Sequence, residues 1–414
     1  MIRLFYRNSS LTLLIFLTIN SSAQRQDRIW LFADSSGIDF NNLQSPLAIN
    51  SNIANPCYTA FTSIADYSGN LLFYAAGVEL TDQAIRVFDK NGNIMQNGDS
   101  VMGYPTVGQA CLIIPFPSDS TKFYLFTSDR NSGTGNYIYY SIVNINMNNG
   151  LGDVTSKNNL LLNDFVNEKL TATRHANGRD WWLILQSSLT DQLFHKFLIT
   201  PNGISSPSDQ YIGSSNNPNK FFGQMIFSPD GNKLALVSPW AYVDIYDFDR
   251  CTGELSNYIN AGEQVFTEHN GYFGCSFSAN GQVLYVSPIY YSSKNIYQYD
   301  LTSSNVKGTK QIIYSYPDTG AFQYLQLGEH KLGPDGKIYL AKGNGFTGIN
   351  SDTYYTHHID VILNPDQLGV SCNLSLANFD LGNGRTISGL PNMPNYNLGP
   401  VVGSICDSLT NGIK

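Results

Sequence analysis

Charge is scarce in this sequence. Only 14% of its 414 residues are Asp, Glu, Lys or Arg, and 32 acidic residues outnumber 24 basic ones. No basic cluster offsets that balance, which argues against a nucleic-acid partner, because phosphates would be repelled. Long apolar runs are also missing. The longest, "LTLLIFLTI" (residues 11–19), has about half of the ~20 residues a spanning helix needs. None of the six cysteines stands in a C-x-x-C spacing, so the signatures of a zinc ribbon and of a thioredoxin-type site are absent. H-E-x-x-H and G-x-S-x-G are absent as well, which removes the familiar zinc-protease and nucleophile-elbow arrangements. No cofactor or metal is expected. No 3.6-residue apolar period is found, so helices are not expected to build the fold.

The chain does hold 36 Gly, 26 Tyr and 13% aromatic residues. Tight turns joined by β-favouring residues have this composition, and a disordered chain does not. The length suits one large all-β domain or two to three average ones. Arg3 and Arg7, the apolar run and the small residues Ser21, Ser22 and Ala23 form a secretory signal pattern, so residues 1–23 are expected to be cut, leaving Gln24 first. No Cys follows that site to take a lipid anchor. The cut takes the basic count from 24 to 22 against 32 acidic residues, a formal charge of about −10.

A repeat organises the rest. Two-residue turns flanked by strand-like runs occur at Gly69-Asn70, Asn177-Gly178, Asp230-Gly231, Asn280-Gly281 and Asp335-Gly336. The last four lie at steps of roughly fifty residues, and the gap from Gly69 to Gly178 is about twice that, with the missing mark near Ser118–Ser120. Asn-Gly and Asp-Gly predict type I′ hairpins, whose two central residues both need positive φ. A second strand follows each turn unit, as in "AIRVFD" (84–89), "YIYYSIVNI" (137–145), "LFHKFLIT" (193–200), "YVDIYDFD" (242–249) and "NIYQYDL" (295–301). Four strands per unit at this period predict a β-propeller. Six units are marked. The two ends, residues 28–40 and 386–396, are expected to pair as strands and complete a seventh blade that closes the ring. Six blades is the alternative. The propeller is expected over 24–406, with 407–414 as a tail.

The stretches "WLFADSSGIDFN", "GNLLFYAAGVELTD", "NNGLGDVTSKN", "EKLTATRHANGRDWWLIL", "FDRCTGELSN" and "GLPNMPNYNLGPVVGSICDSL" resemble the propeller region of large secreted and cell-surface proteins exported by the type IX route. The resemblance implies the fold and an exported location, and it implies no reaction. Members usually continue into further repeats or a C-terminal sorting domain. Residues 407–414 would be the junction to such a domain, and periplasmic retention is the alternative to surface attachment.

The densest polar stretch is "NEKLTATRHANGRDWW". Glu168, Lys169, Arg174 and His175 lie on a predicted inner strand, where they could reach the central channel or its mouth. A glutamine recurs ahead of several blades: Gln109, Gln224 and Gln326. These seven residues are the ligand-binding candidates, as a ring of amides and an ion pair around a small polar molecule. The competing reading is that they satisfy backbone groups where inner strands crowd. His358 and Asp360 share a strand face but number too few for a catalytic zinc. "DFDRCTGEL" (247–255) lacks the spacing of a calcium loop, and Asp249 is read as a turn cap. Disulfides are expected between Cys251 and Cys275, Cys372 and Cys406, and Cys57 and Cys111, although six cysteines allow fifteen pairings and buried thiols are the alternative.

Three functions follow. The first is an exported, non-catalytic binding or scaffolding module at the cell surface or in the periplasm, monomeric, with a protein or glycan partner. The second is a lactonase-like propeller hydrolase using Glu168, Arg174 and His175. The third is the structural first domain of a larger surface adhesin.

Overall fold

The computed structural model describes residues 24–407 apart from 33, 52, 54–58, 78–83, 132–134, 191, 215–221, 241, 264–270, 289–293, 318, 320–324 and 344–355. The expected signal segment and Cys57 lie outside the described residues. The fold is all-β and propeller-like. A three-stranded sheet holds β1 (Ile29–Phe32), β2 (Ser36–Asp39) and β3 (Leu47–Ile49). The next holds β4 (Phe61–Ala65), β5 (Leu71–Gly77), β6 (Ala84–Asp89) and β7 (Val101–Met102). An eight-stranded sheet follows: β8 (Cys111–Phe116), β9 (Asp119–Asn131), β10 (Gly135–Asn144), β11 (Asp153–Arg174), β12 (Trp181–Ser187), β13 (Leu193–Thr200), β14 (Gly203–Ile204) and β15 (Ser208–Tyr211). Three four-stranded meanders complete the order. The first is β16 (Met225–Phe227), β17 (Lys233–Ser238), β18 (Tyr242–Phe248) and β19 (Leu255–Asn260). Then come β20 (Tyr272–Phe277), β21 (Val283–Pro288), β22 (Asn295–Asp300) and β23 (Gln311–Ser315), and finally β24 (Gln326–Leu332), β25 (Ile338–Gly343), β26 (His358–Ile362) and β27 (Leu374–Asp380). Helix among the described residues is confined to short 3₁₀ turns, and no helix there is long and apolar enough to cross a membrane.

The first strands of successive units touch in order, β4 to β8, β11, β16, β20 and β24, and so surround an axis. The eight-stranded sheet arises because β11 runs 22 residues unbroken. Its first half pairs with β10 as an outer strand, and its second half pairs with β12 as an inner one. The sheets therefore number six, five of them with four or more strands, and not seven separate blades.

The hairpins fall where the sequence marks them, but their type differs. Gly69, Gly178, Gly231, Gly281 and Gly336 have φ between 71° and 93°, whereas the Asn or Asp before the last four does not have positive φ. Each of these glycines donates its N–H to the carbonyl three residues earlier, as Gly231 does to Ser228 at 2.9 Å. The turn is thus type I followed by a left-handed glycine. The Asp or Asn side chain fixes it: Asp230 Oδ1 accepts from Asn232 N–H and Ser228 Oγ, and Asn280 Oδ1 does the same with Gln282 and Ser278.

The two chain ends do not pair as strands. Residues 386–396 carry no strand, since Pro391 and Pro394 have no N–H to give a ladder. The outer backbone of β1 is already satisfied, because Leu31 N–H donates to Ser63 Oγ at 3.3 Å and Ser63 Oγ donates to Ile29 O at 2.6 Å. Residues 385–406 form instead an irregular strap along the axis. Asn392 N–H donates to Phe61 O, Asn392 Nδ2 to Leu170 O, and Tyr396 Oη to Ile113 O, at 2.8–2.9 Å. Gly328 and Gly343 admit it: a Cβ on either would stand 2.1 Å from Ser388 O or 1.6 Å from Ile387 O. At its far end Arg250 donates to Gly399 O at 2.5 Å, and Cys406 is bridged to Cys251.

That bridge corrects the expected pairings. Cys251 does not pair with Cys275, nor Cys406 with Cys372; Cys275 and Cys372 are buried thiols. Cys275 sits in β20 with its N–H held by Gln224, while the strap brings Cys406 to Cys251 at a Cα separation of 5.7 Å. Cys111 is buried in β8, and its expected pairing with Cys57 lies outside the described residues.

Candidate functional site

A cavity of about 310 Å³ lies on the axis, between the C-terminal ends of β11, β16, β20 and β24 and the strap. Gln109 and Gln224, which precede their strands, line its inner end, and the turns at Pro229 and Pro334 line the other. The cavity exists because the strap fills only part of the space the inner strands enclose.

The two glutamines act mainly as clamps. Gln109 binds both backbone groups of Met225, accepting at 2.8 Å and donating at 3.0 Å, and so spans from β8 past β11 to β16. Gln224 accepts from Cys275 N–H at 2.9 Å and His330 N–H at 2.8 Å and donates to His330 O at 3.1 Å, joining β16, β20 and β24. Gln326 is buried in β24 and does not line the cavity.

The four candidates on and just after β11, Glu168, Lys169, Arg174 and His175, are not brought together. Glu168 accepts from Gly108 N–H at 2.8 Å, and Lys169 donates to Phe222 O at 3.1 Å. Arg174, six residues on and hence ~20 Å along the strand, donates to Arg179 O at 2.8 Å and lies 4.0 Å over the Trp181 ring. Burial pushes its guanidinium down to about 10. His175 Nε2 donates to Cys251 O at 3.0 Å and Nδ1 accepts from Asn177 N–H at 3.1 Å. None of the four lines the cavity. Asp360 pairs with Lys342 at 2.5 Å and accepts from Tyr316, while His358 is 4.0 Å from Asp380, so the two do not form a site. Asp249 caps its turn through Cys251 N–H at 2.7 Å. Among the described residues no group of three or more His, Cys, Asp or Glu could hold a metal ion.

The cavity instead gathers residues the sequence reading passed over: Glu329, His330 and Lys331 of β24, with Asp27 and Trp30. Three consecutive titratable residues shortly before the marked turn at Asp335-Gly336, in "GEHKLG", were the available signal. Glu329 Oε2 accepts from Leu390 N–H of the strap at 2.8 Å, and burial pushes this carboxyl up to about 8. Lys331 Nζ donates to Met393 O at 3.2 Å and lies 5.4 Å from the Trp30 ring; burial lowers it to about 8 against the pull of Asp27 and Glu329. Burial also lowers His330, to about 3, and raises Asp27, whose Oδ2 accepts from Asn397 at 3.1 Å.

No protein-family model matches the chain, and no curated protein matches it. Among solved structures, a candidate 6-phosphogluconolactonase from Bacteroides uniformis superposes with a TM-score of 0.52 at 14% identity, over 88% of this chain and 98% of that one. The periplasmic gluconolactonase of Pseudomonas aeruginosa gives 0.43 at 13% identity, over 72% and 79%. An auxiliary nutrient binding protein from Bacteroides thetaiotaomicron gives 0.40 at 10%, over 69% and 66%. The first likeness is one of fold, and at this identity neither an activity nor a ligand follows from it.

Proposed function

We propose that this chain is an exported, non-catalytic binding propeller whose ligand is a small molecule seated on the axis. The observation that carries the reading is the axial cavity of about 310 Å³, whose wall includes Gln109, Gln224, Glu329 and Lys331. Its size is at the lower end of the ~300–1,000 Å³ typical of small-molecule sites. Counting the halves of β11 as two units and the strap with β1–β3 as another gives a ring of seven, the arrangement we favour. Export is supported by the N-terminal signal pattern and by the Cys251–Cys406 bridge, which suits an oxidising compartment. The cell surface, by the type IX route, or the periplasm is the proposed location. A thermal-shift screen of small polar molecules tests the reading. Compounds should stabilise the native chain but not Ser276→Phe, which fills the cavity; a screen with no such compound overturns it.

A lactonase-like hydrolase is the second reading. Glu329 favours it, because a carboxyl near pH 8 beside Lys331 has the proton affinity of a general acid–base at neutral pH. Hydrolysis of δ-gluconolactone that is lost in Glu329→Gln would establish this reading and displace the first.

A further inference from the structure

We infer that the axial cavity takes a small monocarboxylate with an apolar body, a reading that rests on the cavity's being a ligand site. Lys331 carries the inference. It is the one Lys or Arg among the lining residues, and it keeps part of its surface exposed. It forms no ion pair with a described carboxylate. Its ammonium has three N–H donors, and Met393 O, at 3.2 Å, is the one described acceptor it bonds. A cation in a cavity wall with donors to spare favours an anionic oxygen, because a charge-assisted hydrogen bond is stronger than a neutral one.

The strap places further donors on the same wall. Asn395 and Asn397 line the cavity and are exposed. Asn395 Nδ2 donates to Pro229 O at 2.8 Å, and Asn397 Nδ2 donates to Asp27 Oδ2 at 3.1 Å. Each amide keeps a second N–H that can meet a carboxylate oxygen. The other titratable groups of the wall are Asp27, Glu329 and His330. Burial raises Glu329 to about 8 and lowers His330 to about 3, so at pH 6 neither is charged, while Lys331, at about 8, is. Burial raises Asp27 as well, and its Oδ2 is already met by Asn397. One cation matches one negative charge. Ile226, Phe227 and Leu332, partly exposed in the wall, suit C–H groups rather than further oxygens.

The test is isothermal titration of the full mature chain at pH 6 with benzoate and hexanoate, with benzamide and hexanamide as neutral counterparts, and with benzylamine and hexylamine as cationic ones. At least one carboxylate should bind about tenfold more tightly than its amide and its amine. Lys331→Met should remove that preference. Raising the pH from 6 to 9.5 should weaken the carboxylate about tenfold or more in the native chain, because Lys331 loses its proton and Glu329 gains a charge while the probe stays ionised. Any charge Asp27 gains over that range acts in the same direction, and His330 stays neutral. The pH series decides the matter if Lys331→Met does not fold. An amide or amine bound as tightly as its carboxylate, with binding abolished by Ser276→Phe, overturns the inference and leaves the cavity as a ligand site. Carboxylate binding that neither Ser276→Phe nor the change of pH affects overturns the inference. Silence of every probe does so too, while the library screen decides the broader reading independently.

Discussion

Replacing Cys251 and Cys406 together by serine should lower the melting temperature by about 6 °C. The bridge spans a sequence separation of 155 residues. Closing a loop of that length removes roughly 17 cal/mol/K from the unfolded chain, about 5 kcal/mol at 25 °C. Unfolding entropy near 2.1 cal/mol/K per residue over roughly 390 residues amounts to about 0.8 kcal/mol/K, which sets the shift. The strap should stay seated in the variant, because Val401 N–H still donates to Ala176 O at 2.9 Å and Arg250 still reaches Gly399. Differential scanning calorimetry of both proteins without reductant measures the shift. A non-reducing peptide map identifies the partner of Cys406. The sequence pairing of Cys251 with Cys275 would close a far shorter loop and still contribute about 3–4 kcal/mol, so the map is the sharper measurement. A fall below about 2 °C, or Cys406 found free or joined to Cys372, would refute the reasoning.

Other outcomes follow from single positions. Gly336→Ala, at φ 80° with no atom within 4 Å of the added Cβ, should cost about 1–2 kcal/mol in urea denaturation from backbone strain alone. Gly231→Ala should cost about 1–3 kcal/mol more, since its Cβ would stand 2.6 Å from Thr173 Oγ1 and 2.7 Å from Leu398; equal losses would contradict the packing described. The carboxyl of Glu329 is raised in the fold from 4.5 to about 8. Its protonated form is therefore the stabilising one, and its contribution is full below pH 4.5 and lost as pH rises through 8. Glu329→Gln should flatten the decline in stability between pH 5 and 8, by an upper bound of about 5 kcal/mol, and an unchanged profile would refute this. Lys342→Met should cost about 3–5 kcal/mol by leaving Asp360 with only Tyr316 and Ala377 N–H as buried partners; a loss under about 1 kcal/mol in chemical denaturation would refute it.

The repeat was legible because a left-handed glycine is hard to replace and strand alternation is local. "AIRVFD" and "LFHKFLIT" coincide with β6 and β13 to the residue. The turn type was missed because Asn-Gly and Asp-Gly also fit a type I turn whose glycine comes one place later, and only the neighbouring hydrogen bonds decide between them. The strap was not legible, since residues 386–396 have neither strand nor helix period and take their course from the space left inside the ring. The disulfide followed from that error, because Cys406 could be paired only once the path of the strap was known. The site was sought where charge was densest, at Glu168 to His175. Charge on an inner strand is there mostly to satisfy backbone, as Gly108 N–H and Phe222 O show. Gln109 and Gln224 were singled out as recurrent, but two of the partners, Cys275 and His330, lie 51 and 106 residues away from Gln224, beyond the reach of any local pattern.

The strap also bears on the order in which the protein is made. Residues 385–406 are synthesised after every strand described, yet they bond to groups on or beside β4, β8, β11, β16 and β24. A nascent chain therefore emerges with the middle of its structure still missing, and the earlier sheets must wait, hollow, for their centre to arrive. Translation that halts before residue 385 would release a product lacking its own hub, so a premature stop there should be marked for degradation.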